Sequence, residues 1–238
     1  MFHVKHAPST AAILADAALT PAAREALELY VALLLRWNRT VNLVARRDEP
    51  VLWDRHIADS LQLLQWLSPR PARAIDLGSG AGFPGLVLAI ATGIPFDLIE
   101  ADHRKAAFLR EAARVTGAPV TIHAMRIEAS QVPPAPLVTA RALAPLPELL
   151  ELVVPKLAPG GIFLALKGRN VGSELTAAAR QWHMRVETLP SRTRADGSIL
   201  RISEIARVDP SSASNDPREA QRPAASRAGD RQSEGRRR

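Results

Sequence analysis

The chain has 238 residues, of which 47% are hydrophobic, and its formal net charge at pH 7 is +7. It contains no cysteine, which excludes disulfides, thiolate metal sites and cysteine nucleophiles and favours a reducing, cytoplasmic compartment. No apolar run of signal-peptide length follows the opening residues 1–6, and the longest apolar stretch, 86–94, is about half of a membrane-spanning helix. We therefore expect a soluble protein with no membrane partner.

The first 70 residues predict a helical N-terminal cap, 1–70. Thr20 is a good N-cap residue, and Pro21 suits the first helical position. Apolar residues then recur at helical spacing up to Trp37, which predicts one amphipathic helix. A second helical stretch is predicted over 51–67, before the prolines that follow Ser68.

From residue 71 to residue 208, short apolar strands alternate with helices, which indicates an α/β fold with a mainly parallel sheet covered on both faces. A closing antiparallel pair is predicted near the end of this region. The predicted strands are 74–77, 96–100, 120–122, 137–140, 162–167, 184–189 and 200–208, and the predicted helices are 84–91, 102–117, 146–157 and 174–182.

The segment 209–238 is rich in Ser, Pro, Ala and Arg and has no apolar periodicity, so we predict a disordered basic tail. Its seven Arg and five acidic residues leave about +5 on the rest of the chain. That basic balance permits a polyanionic partner without proving one.

A glycine-rich turn follows the first strand, with Gly78, Gly80 and Gly82 in the pattern Gly-x-Gly-x-Gly. Such a turn lets backbone approach a ligand closely, and this one is a residue tighter than the dinucleotide pattern. Asp76 precedes the turn, where a carboxylate would repel a pyrophosphate at the helix N-terminus. It suits the positive sulfonium and α-amino group of S-adenosylmethionine, so we expect that cofactor rather than a nicotinamide dinucleotide.

Two further acids follow the next two strands. Glu100 ends the second strand, where an acidic side chain can bind both ribose hydroxyls of either cofactor. Glu128 follows the third strand, where the adenine is expected. Each acid alone suits a helix cap or an exposed charge, but three acids at successive strand ends favour a binding site.

The chain resembles the glucose-inhibited division protein B family, the small-subunit (16S) ribosomal RNA guanine-N7 methyltransferases. The glycine turn is common to many methyltransferases, whereas the words that precede it make the resemblance specific. The matching segments are WNRTVNL at 37–43, RHIADSL at 55–61, GFPG at 82–85, Lys105 with FLR at 108–110, RIE at 126–128, TARA at 139–142 and LKG at 166–168.

The resemblance implies a class I methyltransferase fold, which is Rossmann-like and has seven strands, with an S-adenosylmethionine-binding domain at 71–208. It implies 16S rRNA as partner, in the small subunit or an assembly intermediate, with no metal. A monomer is expected. The cofactor residues expected from the turn, the acids and the resemblance are Asp76, Gly78, Gly80, Gly82, Phe83, Glu100, Ile127, Glu128 and Arg141. The basic residues expected to position RNA or stabilise charge are Arg126, Lys167 and Arg201.

Guanine N7 has a free lone pair at neutral pH, so no general base is expected, and catalysis rests on positioning. His56 and Asp59 are expected to tie the N-terminal helices to the sheet by hydrogen bonds, and Arg141 to pair with Glu128 or another acid. Three alternatives remain: a methyltransferase for another RNA or a small molecule, a nicotinamide-dependent dehydrogenase, and a non-catalytic RNA-binding module.

Overall fold

A computed structural model describes residues 8–208 of the chain. The predicted basic tail, 209–238, lies outside these residues. Among the described helices, none is long and apolar enough to cross a membrane.

The N-terminal helices begin with α1, Pro8–Asp16, and continue with α2, Pro21–Trp37. Thr20 caps α2 as predicted, because its hydroxyl accepts a hydrogen bond from the amide of Ala23 at 3.1 Å. The helical stretch expected over 51–67 is confirmed, with a mixed geometry. It consists of 3-10 turns at Arg46–Val51 and Gln62–Trp66, a π-turn at Trp53–Ile57 and the short helix α3, Ala58–Leu61.

The sheet has seven strands in the order β3-β2-β1-β4-β5-β7-β6. All are parallel to β1 except β7, which is antiparallel to both of its neighbours. The predicted α/β class and the closing antiparallel pair are confirmed. The strands are β1 Ala74–Leu77, β2 Phe96–Ile99, β3 Val120–His123, β4 Ala135–Arg141, β5 Leu157–Lys167, β6 Trp182–Pro190 and β7 Ser198–Arg207.

Four helices connect the strands, and the caps predicted for one of them, α5 at His103–Thr116, are confirmed. Asp102 caps its start by accepting the amide of Arg104 at 2.8 Å, and Gly117 ends it with φ +65°. The helices are α4 Gly85–Thr92, α5 His103–Thr116, α6 Leu146–Val153 and α7 Val171–Ala178.

Two predicted helix ends differ from the structure. The helix expected to reach Leu157 changes at Val153 from α-helix to a 3-10 turn, Val154–Lys156. Because β5 begins at Leu157, Pro159–Gly161 lies inside that strand rather than stopping the helix. The helix expected to reach Trp182 ends at Ala178, because Trp182 begins β6 and is buried. In both places tertiary pairing and burial outweigh the local helical pattern.

The sheet separates two apolar clusters. Alternate strand residues face opposite sides, so Leu98 and Leu164 belong to one cluster while Ile99 and Phe163 belong to the other. The N-terminal helices contribute Leu27 to the first cluster, so they cover one face of the sheet. The division at residue 70 stays a prediction.

Strand order places a ligand site at one edge. From β1 the chain continues to β2 and β3 on one side of the sheet, and then crosses to β4 on the other side of β1. In open α/β sheets, ligands bind beyond the carboxyl ends of the strands at such a reversal. The glycine turn after Leu77 lies at this point.

Candidate active site

The glycine turn adopts a backbone shape that most residues resist. Gly78, Gly80 and Gly82 have φ values of +64°, +58° and +102°, in the region that glycine enters without steric cost. The amide of Gly80 donates to Oε2 of Glu100 at 2.7 Å, and the amide of Asp102 donates to Oε1 at 2.8 Å. Glu100 therefore holds the turn after β1 against the start of α5.

Leu143 packs directly over the turn. A Cβ atom added to Gly78 would lie 2.6 Å from Cδ1 of Leu143. The segment that carries Leu143 follows β4, and its first residue, Ala142, has φ +50°. The loop after β4 and the glycine turn therefore form adjoining walls of one site.

Asp76, two residues before the turn, is fully buried. Its carboxyl has no exposed area, and Oδ1 accepts a hydrogen bond from the hydroxyl of Thr139 at 2.6 Å. Oδ2 is buried without a hydrogen-bond partner among the residues described. Burial raises the pKa of Asp76 to about 6, against the lowering effect of the Thr139 hydrogen bond. Because the Asp76 side chain has no exposed area, any electrostatic effect that it has on a ligand would be indirect, through the glycine turn.

Arg141, the last residue of β4, ties the sheet to the N-terminal helices. Its guanidinium donates to Nδ1 of His56 at 2.8 Å and lies 3.7 Å from Oδ2 of Asp59. The expected tying role of His56 and Asp59 is confirmed, and the acid that pairs with Arg141 is Asp59 rather than Glu128. The Arg141 guanidinium also lies 4.8 Å from the ring centre of Phe83, a cation–π distance.

His56 is held neutral. Burial, together with the charge of Arg141, lowers its pKa to about 3. Because Nδ1 accepts from Arg141, the proton resides on Nε2, which faces Oδ2 of Asp48 at 3.6 Å. The ring stacks on Phe83 with centres 4.8 Å apart. His56 therefore has no free acceptor with which to remove a proton from a substrate.

Phe83 joins the glycine turn to α2. Tyr30 of α2 is fully buried, packs edge-on against Phe83 with ring centres 5.8 Å apart, and donates its hydroxyl to the carbonyl of Ala81. Burial raises the pKa of Tyr30. The N-terminal helices thus support the turn from behind.

A cleft of about 400 Å³ opens beside Arg141, within the range of small-ligand sites. Lys167, the last residue of β5, lies in it with its side chain only 6% exposed. Its ammonium is 2.7 Å from Oε2 of Glu174 and donates to the carbonyl of Ala144 at 2.7 Å. The cleft is lined by Asp48, Arg55, His56, Asp59, Arg141–Pro145, Leu166–Gly168, Glu174, Ser191, Arg194, Gly197 and Ser198.

The residues expected after β3 lie on the other side of the turn. Ile127 and Glu128 begin a 3-10 turn, in which Ile127 is buried and Glu128 is exposed. This turn neighbours Glu100, whose amide donates to the carbonyl of His123 at the end of β3. Arg126 is exposed beside it.

The predicted basic residues are not gathered at one opening. Arg126 follows β3 and Lys167 ends β5, and these two strands are four strand spacings, about 19 Å, apart in the sheet. Arg201 lies opposite Leu164 in the middle of β7 and donates to Glu187 at 2.7 Å. It lines a different cavity, so the structure does not bring it to the cleft.

Sequence reasoning missed several cleft residues because they lie in segments without a motif. Asp48 accepts from Arg55 at 3.1 Å, and the loop between β6 and β7 brings Ser191 and Arg194 to the same cleft. Ser191 donates to Asp59 across 132 residues of sequence, at 3.1 Å. Within residues 8–208, no three His, Asp or Glu side chains are grouped so as to hold a metal ion.

Comparison with known proteins gives concordant matches. A family model, GidB, described as rRNA small subunit methyltransferase G, matches residues 23–198. The ribosomal RNA small subunit methyltransferase G of Granulibacter bethesdensis is 54% identical over 213 residues, covering 87% of this chain and 100% of that protein. The protein of that name from Rhodospirillum centenum is 58% identical over 181 residues, covering 76% of this chain and 83% of that protein.

Among solved structures, an O-methyltransferase from Bacillus cereus in complex with SAH superposes with a TM-score of 0.52 at 15% identity. It covers 74% of this chain and 90% of that chain. At this identity the likeness concerns the fold alone.

Proposed function

The chain belongs to the GidB family, rRNA small subunit methyltransferase G, and from this premise we propose that it transfers a methyl group from S-adenosylmethionine to N7 of a guanine in the decoding-region loop of 16S rRNA. The observation that carries the proposal is the extent of the family match, which begins at residue 23 and ends at residue 198. It therefore includes the N-terminal helices that support the turn, and not only the turn that many methyltransferases share.

The residues around the turn fit S-adenosylmethionine. Two acids, Asp76 and Glu100, adjoin the turn, and Oδ2 of Asp76 is a buried acceptor with no hydrogen-bond partner among the described residues. Such a negative environment favours a ligand with a positive sulfonium and ammonium over a pyrophosphate. We propose that the cofactor is held by Gly78, Gly80, Gly82, Phe83, Glu100, Ile127, Glu128 and Arg141, with Asp76 acting through the turn.

When bound, S-adenosylmethionine supplies an electrophilic methyl group. Guanine N7 attacks with its own lone pair, so the chain has to position the base and exclude competitors rather than remove a proton. The cleft residues agree with this requirement. His56 has its acceptor nitrogen occupied by Arg141, and Asp76 has no exposed atom from which to reach a substrate.

Arg141 contacts both the residues proposed for the cofactor and the residues of the cleft proposed for the substrate. Its guanidinium spans Phe83 at the end of the glycine turn and His56 and Asp59 in the cleft. We propose that it orients both ligands, and that the charge it supplies comes from a rigid position fixed by three neighbours. A lysine cannot reproduce that planar, multiply bonded arrangement.

RNA engagement is assigned to basic residues around the cleft and the neighbouring surface. Arg126, Lys167 and Arg201 are proposed for positioning or charge stabilisation, as the family resemblance implies. Arg194, with its side chain 34% exposed at the cleft, is added to them by its location. Exposed arginines suit phosphate contacts, which position an RNA without reading its sequence.

We propose that the chain acts in the cytoplasm, as a monomer, on the small ribosomal subunit or an assembly intermediate. Four large apolar side chains are exposed within residues 8–208, and each belongs to a different segment: Leu29, Val51, Met125 and Leu189. Single exposed apolar residues are normal on a monomeric protein, so they are compatible with the proposed monomer.

The experiment that tests the function compares methyl transfer to small subunits from a strain lacking this gene, to naked 16S rRNA and to free guanosine. Transfer to ribosomal substrates, decreasing as salt rises, supports the proposal because phosphate contacts release counterions. Transfer to guanosine at the same efficiency as to RNA would indicate a small-molecule enzyme instead. Cofactor binding, measured in parallel by calorimetry, separates a lost cofactor site from a wrong substrate.

A further inference from the structure

The cleft beside Arg141 contains a buried ion pair that the cofactor site does not use. Lys167 and Glu174 come from the end of β5 and from α7, and their side chains are 6% and 19% exposed. Oε2 of Glu174 receives both the ammonium of Lys167 at 2.7 Å and the amide of Leu146 at 2.9 Å. Oε1 of Glu174 takes part in neither contact.

Such a pair gives little stability, because the cost of removing two charges from water offsets their attraction. The two side chains also bond the backbone, Glu174 at the amide of Leu146 and Lys167 at the carbonyl of Ala144. Here the pair lines an open cleft, so its polar atoms remain within reach of a ligand. Lys167 has three N–H donors, and Glu174 and the carbonyl of Ala144 occupy two of them.

We propose that the Lys167–Glu174 pair is the base-recognition site for the target guanine, an inference that rests on the methyltransferase function proposed above. The remaining N–H of Lys167 donates to guanine O6, and Glu174 accepts from the adjacent N1–H. A donor beside an acceptor is the complement of the guanine edge. Adenine presents the opposite order, an amino donor beside a ring-nitrogen acceptor, and so meets two like groups at this pair.

The same arrangement accounts for the methylated atom. In guanine, O6 lies between N1 and N7, so a base held by O6 and N1–H keeps N7 free at its other flank. Lys167 follows Leu166, which pairs in the sheet with Arg141. Arg141 and Leu143 line the same cleft and contact residues of the glycine turn. N7 is therefore directed towards the side where the cofactor residues lie.

The test uses the full chain with Glu174→Gln and, as a second variant, Lys167→Met. Glu148→Gln, an exposed acid on α6, and Lys156→Met, a buried lysine that donates to the carbonyl of Ser130, are the matched controls. Kcat/KM for small subunits is expected to fall about 100-fold for Glu174→Gln, the size of a lost base-reading contact, and to stay within about 2-fold for Glu148→Gln. S-adenosylmethionine affinity, measured by calorimetry, is expected to be unchanged in Glu174→Gln.

The decisive readout replaces the target guanosine by 2-aminopurine riboside, which lacks O6 and has no hydrogen on N1. The N7 atom of 2-aminopurine differs from that of guanine in intrinsic reactivity. This difference affects all variants equally, so it cancels when the guanosine-to-2-aminopurine ratio of kcat/KM is compared between wild type and variant. For the wild type, kcat/KM is expected to be about 100-fold or more lower with 2-aminopurine than with guanosine. For Glu174→Gln and for Lys167→Met, the corresponding decrease is expected to be no more than about 10-fold. A purely structural role of the pair would leave the relative loss the same in all three proteins.

Equal relative losses in wild type and variants would therefore overturn the recognition site while leaving the methyltransferase function intact. So would a Glu174→Gln protein with wild-type kcat/KM. A wild type that forms no methylated guanosine would instead overturn the proposed function, and this assignment with it. If Glu174→Gln fails to fold, the ratio for Lys167→Met, judged against Lys156→Met, decides the question.

Discussion

Asp76 is the buried acid whose replacement has the most calculable effect on stability. Its pKa is raised by burial from 3.8 to about 6, and its side chain is fully buried. Between these two pKa values the folded chain holds a proton that the unfolded chain has lost. Stability contributed at low pH is therefore lost as the pH rises from about 4 to about 6. At about 1.4 kcal/mol for each pKa unit, the loss is on the order of 3 kcal/mol.

Asp76→Asn keeps an oxygen for the Thr139 hydroxyl and cannot ionise. Its amide nitrogen would replace Oδ2, which has no partner among the described residues, so the variant carries a constant penalty of about 1–3 kcal/mol at every pH. The difference in unfolding free energy between wild type and variant is then expected to change by about 2.4 kcal/mol between pH 4 and pH 7, because a small part of the loss has already occurred at pH 4. All other titrating groups cancel in that difference.

The assay is urea unfolding of both proteins at half-unit steps from pH 4 to pH 7.5, with the free energy extrapolated to water. Wild type is expected to lose stability relative to Asp76→Asn as pH rises, and the curves to become parallel above about pH 7. Parallel curves throughout the range would show that Asp76 titrates normally and would refute the reasoning. The opposite slope would mean that the carboxylate is stabilised in its charged form.

Three further changes address the cofactor and RNA sides. Gly78→Asp places a side chain at φ +64° against Leu143, and S-adenosylmethionine binding in calorimetry is expected to be abolished; retained affinity would remove Gly78 from the cofactor site. Arg141→Lys keeps the charge but loses the contacts to His56 and Phe83, so kcat/KM is expected to fall about 100-fold; an active variant would show that charge alone suffices. Arg201→Ala is expected to weaken RNA binding and reduce the salt slope by about 0.9, with cofactor affinity unchanged; an unchanged slope would remove Arg201 from the RNA surface.

Features set by neighbouring residues could be predicted from the sequence. The caps at Thr20 and Asp102 and the glycine turn after β1 depend on residue type and short spacing, and the structure has them where the sequence indicated. The alternation of strands and helices likewise predicted a mainly parallel sheet. The helical stretch over 51–67 was predicted as well, but its mixture of 3-10, π and α geometry was not, because residue periodicity does not distinguish these helix types.

The composition of the cleft could not be predicted in the same way. Asp59 meets Ser191, and Lys167 meets Glu174, only after the strand order has been fixed. The sequence also did not reveal that Asp76 is fully buried and bonded to Thr139 on the neighbouring strand. Such relations depend on which strands are neighbours, information that spacing along the chain does not contain.

The most direct measurement of the central claim is the identity of the methylated nucleoside. Small subunits from a strain lacking this gene are incubated with the purified chain and labelled S-adenosylmethionine, and the digested RNA is analysed by mass spectrometry. We predict labelled 7-methylguanosine from one position of 16S rRNA. Label in any other nucleoside, or no transfer from a chain that binds the cofactor, would contradict the account.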